Sequence, residues 1–332
     1  MGISLFLPLI ALIVLAFLPT TVLAQYGDNR PIYAVGTTDL LWRPPQSELV
    51  ISSKVYFPLG VLQRCPVVIF SHGLGSSSRQ CEYLGRMWAS RGLVAIFLEH
   101  PGSNEAVWRG KLRPLEDLKK AYGQFWSGRD RALMISMTID HLYEMVAYPV
   151  PDGLSSLIDV RRIGVAGNDL GALAALLTAG QLPPDNGPAL KDNRIAGVLA
   201  LSPPVFTTEF MAPVVYAYVQ VPVMSIAGTK DDGIVGTTKA WQRRIPYEAI
   251  RGVEHCHVTL NGGDHKVYTG MRFRIAGLTS SESDLPYQQA IMNASAVFWE
   301  AVLQGDVYAR FLLRSGLPGL LANVGALEFR EQ

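Results

Sequence analysis

Short apolar runs alternate with helix-like segments along most of the chain, and this alternation constrains the fold more than any other feature. Runs typical of strands buried on both faces occupy residues 66–70, 92–100, 161–166, 195–202 and 221–227, with a last one near 250–260. Helical patterns occupy residues 80–91, 129–147, 170–180, 236–246 and 285–304. We therefore predict an α/β fold with a mostly parallel central sheet and helices on both faces.

The segments around these runs are less regular. Residues 25–48 have a loop-like composition, "ELVISSKVYFP" alternates as an exposed strand does, and the C-terminal "FLLRSGLPGLLANVGAL" predicts a packing helix and loop. With 49% hydrophobic and 17% charged residues, the chain of 332 residues can bury a large core. We predict one domain over residues 25–332.

The N-terminus has the pattern of a secretory signal. "LFLPLIALIVLAFLP" is a long apolar run, and Val22 and Ala24 are small residues placed as before a cleavage site at Gln25. We predict a signal peptide at residues 1–24 and a secreted or periplasmic protein with no stable membrane insertion after cleavage. The alternative is an uncleaved membrane anchor, because the run approaches the ~20 residues that span a bilayer.

Charge and cysteine content exclude several function classes. The net charge of +1 and the lack of a basic cluster argue against nucleic-acid binding. Cys65 and Cys81 flank a predicted strand too long for a disulfide between them, so we expect no essential disulfide. No cysteine and histidine spacing resembles a zinc site, and the sequence implies no metal or organic cofactor.

Residues 164–171, "GVAGNDLG", have the layout of a nucleophile elbow. In the pattern G-x-S-x-G, a serine stands on a sharp turn from strand to helix. Here the central residue is Asp169, between Gly167 and Gly171. Asp tolerates the positive φ of such a turn better than most residues. The alternative is a tight turn in which Asp169 simply caps the following helix.

Other chemically active residues follow neighbouring predicted strands. "SHGLGSS" places a Gly-rich loop around Leu74, "AGTKDDG" contains Asp231 and Asp232, and "NGGDHKVYTG" contains His265. His265 is the histidine that follows the last predicted strand in a Gly-rich loop. The chain order of elbow residue, acid and histidine is that of an α/β-hydrolase triad. Ligands of such sheets bind beyond the carboxyl ends of the strands.

On these motifs the chain resembles the α/β-hydrolase superfamily, near its dienelactone-hydrolase-like and platelet-activating-factor-acetylhydrolase-like branch. The resemblance covers about residues 50–270. It implies Asp231 as the triad acid, with Asp232 as the runner-up, and backbone N–H groups of Leu74 and Leu170 as the oxyanion hole. Relatives of this type have Ser in the elbow, where this chain has Asp169.

A carboxylate at the elbow changes the chemistry, because it is ionised near neutral pH and attacks without losing a proton. It can displace a halide or open an epoxide, after which His265 activates water against the resulting ester. This resembles the haloalkane dehalogenase and epoxide hydrolase branches. However, Leu170 stands where such dehalogenases have Trp, and the sequence leaves no room for a large cap domain. Ester-like substrates and a general-base route without a covalent intermediate stay open.

We expect a small to medium, largely apolar substrate. The residues expected to line its pocket are Leu74, Leu170, Trp108, Phe206 and Tyr216. The alternative function is that of a catalytically degenerate α/β-hydrolase that acts as a binding or interaction protein.

Overall fold

A computed structural model describes residues 32–45, 47–149, 153–269, 282–317 and 319–331. Pro31–Gln332 form one compact unit. The predicted signal peptide at residues 1–24 lies outside the described residues. Within the described ranges, no helix is long and apolar enough to cross a membrane.

The strands follow the apolar runs closely. They are β1 (Val35–Trp42), β2 (Ile51–Pro58), β3 (Cys65–Ser71), β4 (Val94–Leu98), β5 (Ile158–Asn168), β6 (Ile195–Leu201), β7 (Val223–Lys230), β8 (His255–Asp264) and β9 (Gly325–Arg330).

The α-helices lie between these strands and after β8. They are α1 (Glu82–Ser90), α2 (Pro114–Phe125), α3 (Arg129–Ala147), α4 (Leu154–Leu157), α5 (Leu170–Ala179), α6 (Ala212–Val215), α7 (Ile245–Ala249), α8 (Leu285–Trp299) and α9 (Val307–Arg314). Short 3₁₀ turns occupy Glu105–Val107, Ala240–Arg244 and Glu282–Asp284, and a π-helical turn at Glu300–Gln304 extends α8.

The nine described strands form one sheet in the order β1-β2-β4-β3-β5-β6-β7-β8-β9. Pairing is parallel from β4 through β8, and the edge pairs β1–β2, β2–β4 and β8–β9 are antiparallel. The carboxyl ends of β3, β5, β6, β7 and β8 therefore lie at one edge of the sheet. The predicted site residues follow these ends.

Helices cover both faces of the sheet. Ile69 and Phe70 are adjacent on β3, so their side chains point to opposite faces. Ile69 belongs to the apolar cluster formed with α3 and α5. The Phe70 ring lies 6.3 Å from the ring of Trp88 on α1, and Trp88 lies 6.2 Å from Trp299 at the end of α8. The prediction of an α/β fold with a mostly parallel sheet between helices is confirmed.

Some local predictions were wrong. Residues 25–48 were expected to be a loop, but they contain β1, which pairs with β2 over its whole length. The C-terminal segment contains β9 as well as α9, and α2 lies in a part of the chain for which no helix was predicted. Edge strands and exposed helices lack the continuous apolar pattern that identifies buried elements.

The connection between β6 and β7 is short. Residues 202–222 are all described, and the only helix they contain is the four-residue α6. No cap domain is inserted at this point of the sheet. The three cysteines are buried free thiols.

Candidate functional site

The turn after β5 is a sharp strand-to-helix elbow whose shape depends on two glycines. A Cβ on Gly167 would lie 2.2 Å from the carbonyl of Gly171, and a Cβ on Gly171 would lie 1.9 Å from the carbonyl oxygen of Ser71. Side chains at these positions would therefore push β3, β5 and α5 apart. Asp169 stands between them with φ 52° and ψ −122°, in the positive-φ region that non-glycine residues rarely adopt.

The Asp169 side chain does not cap α5, although the residue occupies the N-cap position. One of its carboxylate oxygens, Oδ2, instead accepts a long hydrogen bond of 3.5 Å from the backbone N–H of Leu74, in the loop after β3. The first N–H groups of α5, beginning with Leu170, have no partner within the helix, and their positive end favours an anion at Asp169. Asp169 thus faces the loop after β3.

A buried polar network fixes this loop. Arg131 of α3 is buried and donates to the carbonyl oxygen of His72 and, at 2.9 Å, to Ser103 Oγ. Gly75 N–H donates to the Ser103 carbonyl oxygen at 2.9 Å. Burial lowers the pKa of Arg131 to about 10, and Asp169 opposes that shift. Arg131 therefore keeps its positive charge at neutral pH, beneath the loop that contacts Asp169.

Asp231 and His265 form a close pair after β7 and β8. His265 Nδ1 and Asp231 Oδ1 are 2.7 Å apart, and Asp231 is fully buried. Burial alone would raise the pKa of Asp231, but the hydrogen bond from His265 and the nearby Arg243 charge hold that pKa below its ordinary value. An ionised carboxylate only accepts, so His265 Nδ1 carries the hydrogen and Nε2 is left as an acceptor.

Three more side chains hold Asp231. Tyr268 Oη donates to Oδ2 and Ser202 Oγ donates to Oδ1, both at 2.9 Å, and Arg243 Nε lies 3.2 Å from Oδ1. Asp232, the other candidate acid, is exposed and pairs with Lys239 Nζ at 2.9 Å. In this structure Asp231, and not Asp232, is the partner of His265.

Asp169 and His265 both line one cavity of about 300 Å³. Among the described residues, no hydrogen bond or ion pair joins the two side chains directly. Apolar groups form much of the wall, from Leu74, Trp108, Leu115, Leu118, Ile234 and Val235. The polar groups at the cavity are Gln80, Tyr122, Asn168, Asp169, Thr238, Arg243, His265, Lys266 and Thr269.

The structure brings some of the predicted pocket residues to this cavity and not others. Leu74 and Trp108 line it, and Trp108 Nε1 donates to the Gly75 carbonyl oxygen at 2.5 Å. Leu170, Phe206 and Tyr216 are not among its lining residues. Leu170 and Tyr216 are buried in the apolar core, and the Phe206 ring packs edge-on against Trp126 at 5.3 Å. These three side chains therefore pack in or against the apolar core and do not line the cavity.

Sequence reasoning missed several polar residues at the cavity, among them Tyr122 and Arg243. Tyr122 is on α2, where no helix was predicted, and its hydroxyl makes no hydrogen bond to any described residue. Burial raises the pKa of Tyr122 to about 12, and the Asp169 carboxylate adds to this effect. Arg243 is in the 3₁₀ turn before α7, where no motif marks it. Only the folded chain identifies these two residues.

No group of three or more Asp, Glu, His or Cys side chains within the described ranges could hold a metal ion. Comparison with known proteins yields neither a family model nor a curated protein that matches this chain. Function therefore has to be inferred from the geometry of the cavity.

Proposed function

We propose that the protein is a hydrolase of the α/β-hydrolase type in which Asp169 is the nucleophile and Asp231 and His265 form the base. Its substrate is a small to medium apolar molecule with an electrophilic saturated carbon. The observation that carries the proposal is the orientation of Asp169. Its carboxylate does not cap α5. It accepts a hydrogen bond from the Leu74 N–H and lines the same cavity as His265.

The first step uses the carboxylate directly. One Asp169 oxygen is held by Leu74 N–H, which leaves the other to attack carbon. A carbon–oxygen bond forms to Asp169 as the bond to the leaving group breaks, and the leaving group takes the electron pair. The product is an alkyl ester of Asp169.

Tyr122 favours a leaving group that is an oxygen atom. Its hydroxyl, with a pKa raised to about 12, is protonated at neutral pH and can donate a proton to the more basic alkoxide formed in the cavity. A three-membered cyclic ether is a substrate of this kind. The indole N–H of Trp108, which could bind a halide, already donates to Gly75.

The second step hydrolyses the ester. His265 Nε2 takes a proton from water, and the hydroxide attacks the carbonyl carbon of the Asp169 ester. Leu74 N–H stabilises the oxyanion that forms, and a donor of this type contributes about 3–4 kcal/mol. The bond to the alkyl oxygen then breaks, and the alkoxide takes the proton from His265. The second proton of the water returns to the Tyr122 phenolate when the substrate was an epoxide, or leaves to solvent when it was a halide, and Asp169 is regenerated as a carboxylate with one oxygen from water.

The cavity supports the substrate class. Its volume of about 300 Å³ is at the small end of ligand sites, and apolar side chains dominate its wall. Substrates with a few carbon atoms around the reacting centre fit this space better than long-chain or strongly charged molecules.

A single turnover in ¹⁸O-labelled water tests the covalent route. The enzyme in excess is mixed with an aryl-substituted epoxide, and the peptide containing Asp169 is analysed by mass spectrometry. We expect one heavy oxygen in that carboxylate and none in the diol. Heavy oxygen in the diol alone would eliminate the nucleophilic role and favour direct attack by water.

Substitutions at Asp169, with Asp232→Asn as the control, separate catalysis from binding. Asp169→Asn should abolish turnover of epoxides and alkyl halides, whereas Asp232→Asn, at an exposed carboxylate outside the cavity, should leave it unchanged. Asp169→Ser should give esterase activity if the remaining groups suit acyl transfer. A wild-type chain that turns over no epoxide, alkyl halide or aryl ester would support the alternative of a binding protein.

A further inference from the structure

Arg243 is a buried cation in direct contact with both members of the acid–histidine pair. Its side chain is 1% exposed, and Nε lies 3.2 Å from Asp231 Oδ1. Its Nη2 lies 3.4 Å from His265 Nδ1. None of the proposed catalytic steps uses Arg243.

Backbone carbonyls fix the guanidinium in place. Nε donates to the Asp231 carbonyl oxygen at 2.7 Å, and Nη1 donates to the carbonyl oxygens of Ser202 at 2.7 Å and Pro203 at 3.0 Å. The Arg243 side chain is therefore held at the ends of β6 and β7. It has little freedom to move away from His265.

The contact between Arg243 and His265 places two donors face to face. His265 Nδ1 carries a hydrogen that it donates to Asp231, so it cannot accept from Arg243 Nη2. A second proton on the His265 imidazole would create a positive charge in direct contact with the Arg243 guanidinium. The charged side chains that face or border His265 are Asp231 after β7, Arg243 before α7, Asp169 at the start of α5 and Lys266 after β8, with the neutral Tyr122 of α2 across the cavity.

Because Asp169 adds a second carboxylate to the cavity, a positive charge beside Asp231 is needed. Two ionised carboxylates near one imidazole would favour the imidazolium form, which cannot act as a base. We propose that Arg243 is a positioning residue that neutralises Asp231 and so keeps the His265 imidazole neutral, with Nε2 free, while Asp169 is ionised. The inference rests on the proposed function for its meaning in catalysis, but the charge effect is independent of turnover.

Nitrogen NMR of the histidine side chains tests the proposal on the wild-type chain. At pH 7 we expect His265 in the neutral form with hydrogen on Nδ1. An imidazolium signal for His265 at pH 7 would overturn the proposal without the need for any variant.

Variants then test the source of the effect. In Arg243→Gln the midpoint of the His265 titration should move upward by about 1–3 pH units. Without the guanidinium, no positive charge offsets the carboxylates of Asp231 and Asp169, which favour the imidazolium form. Arg243→Lys keeps the charge and should restore most of the wild-type midpoint. Arg244→Gln removes a neighbouring arginine whose ion pairs are with Glu248 and Glu328, outside the cavity, and should leave the midpoint unchanged. An unchanged midpoint in a folded Arg243→Gln variant would refute the proposal.

The two proposals can fail separately. If no substrate is turned over but the His265 midpoint follows the charge at position 243, the hydrolase assignment fails and the charge effect stands. If Asp169 takes up ¹⁸O but the midpoint of the His265 titration is the same in Arg243→Gln and the wild type, only the role of Arg243 fails. Where turnover is measurable, the acid limb of the pH profile of kcat/KM should shift with the NMR midpoint.

Discussion

Replacing Gly171 with Ala tests the packing on which the whole site depends. Gly171 lies in the first turn of α5, two residues after Asp169, against the end of β3. An added Cβ would lie 1.9 Å from the carbonyl oxygen and 2.5 Å from the carbonyl carbon of Ser71. Both contacts are with backbone, so no side-chain rotation can relieve them.

The structure sets the size of the effect. An ordinary contact between carbon and oxygen is about 3.3–3.6 Å, so α5 and β3 would have to separate by more than about 1 Å. Overpacking of this kind typically costs about 1–3 kcal/mol. Ser71 also pairs with Leu98 of β4 and Gly167 of β5. Disturbing its ladder bonds adds about 1 kcal/mol each, so we expect the free energy of unfolding to fall by about 3–5 kcal/mol.

Urea unfolding of the variant and the wild type measures this loss. The matched control is Gly123→Ala in α2, where an added Cβ would meet nothing within 4 Å. That substitution should raise the free energy of unfolding by about 0.5–1 kcal/mol, because Ala is the better helix former. A loss below about 1 kcal/mol for Gly171→Ala would refute the tight contact between the elbow and β3.

Three further predictions address the site and its surroundings. Tyr122→Phe should lower kcat for epoxides about 10²-fold or more and leave alkyl halides unaffected, so equal losses on both would contradict its role as a proton donor. Tyr268→Phe should cost about 1–3 kcal/mol of stability in urea, because Asp231 loses a buried hydrogen bond of 2.9 Å, and an unchanged midpoint would contradict this. Burial holds the pKa of His72 and His255 well below the ordinary 6.5. The unfolded chain therefore binds protons that the folded chain does not, and the free energy of unfolding should be lower at pH 5.5 than at pH 7.5 rather than equal or higher.

The central strands and the elbow were predictable because their signals are local. β3, β6 and residues 163–167 of β5 are continuous runs without a charged residue, and burial on both faces of a sheet requires such runs. The elbow was readable because Gly167 and Gly171 mark positions where a side chain cannot fit. Asp231 and His265 follow β7 and β8, which are neighbours in the sheet. Residues at these two strand ends can therefore meet, and His265 Nδ1 lies 2.7 Å from Asp231 Oδ1.

The cavity walls were less predictable, because wall positions depend on long-range packing. Tyr216 was expected at the pocket since it follows β6, yet α6 turns its ring into the core. Tyr122 reaches the cavity from a helix that sequence patterns did not indicate. Aromatic residues in a connection carry no local sign of the direction in which they point, so only the folded chain separates Tyr122 from Tyr216.

The charge environment of Asp169 bears on whether the elbow is an active site or a degenerate one. A carboxylate placed at random in a buried turn is destabilising unless donors or cations compensate for it. Asp169 has Leu74 N–H, the N-terminus of α5 and the buried Arg131 on its side of the cavity. On the other side, the charges of Asp231 and Arg243 oppose each other, so the His265 imidazole that contacts both can stay neutral. Compensation of Asp169 would stabilise this turn in a degenerate scaffold as well, so it does not separate the two cases. Opposed charges at the histidine are needed only where an ionised nucleophile faces a neutral base, and they are the arrangement that supports the proposed hydrolase.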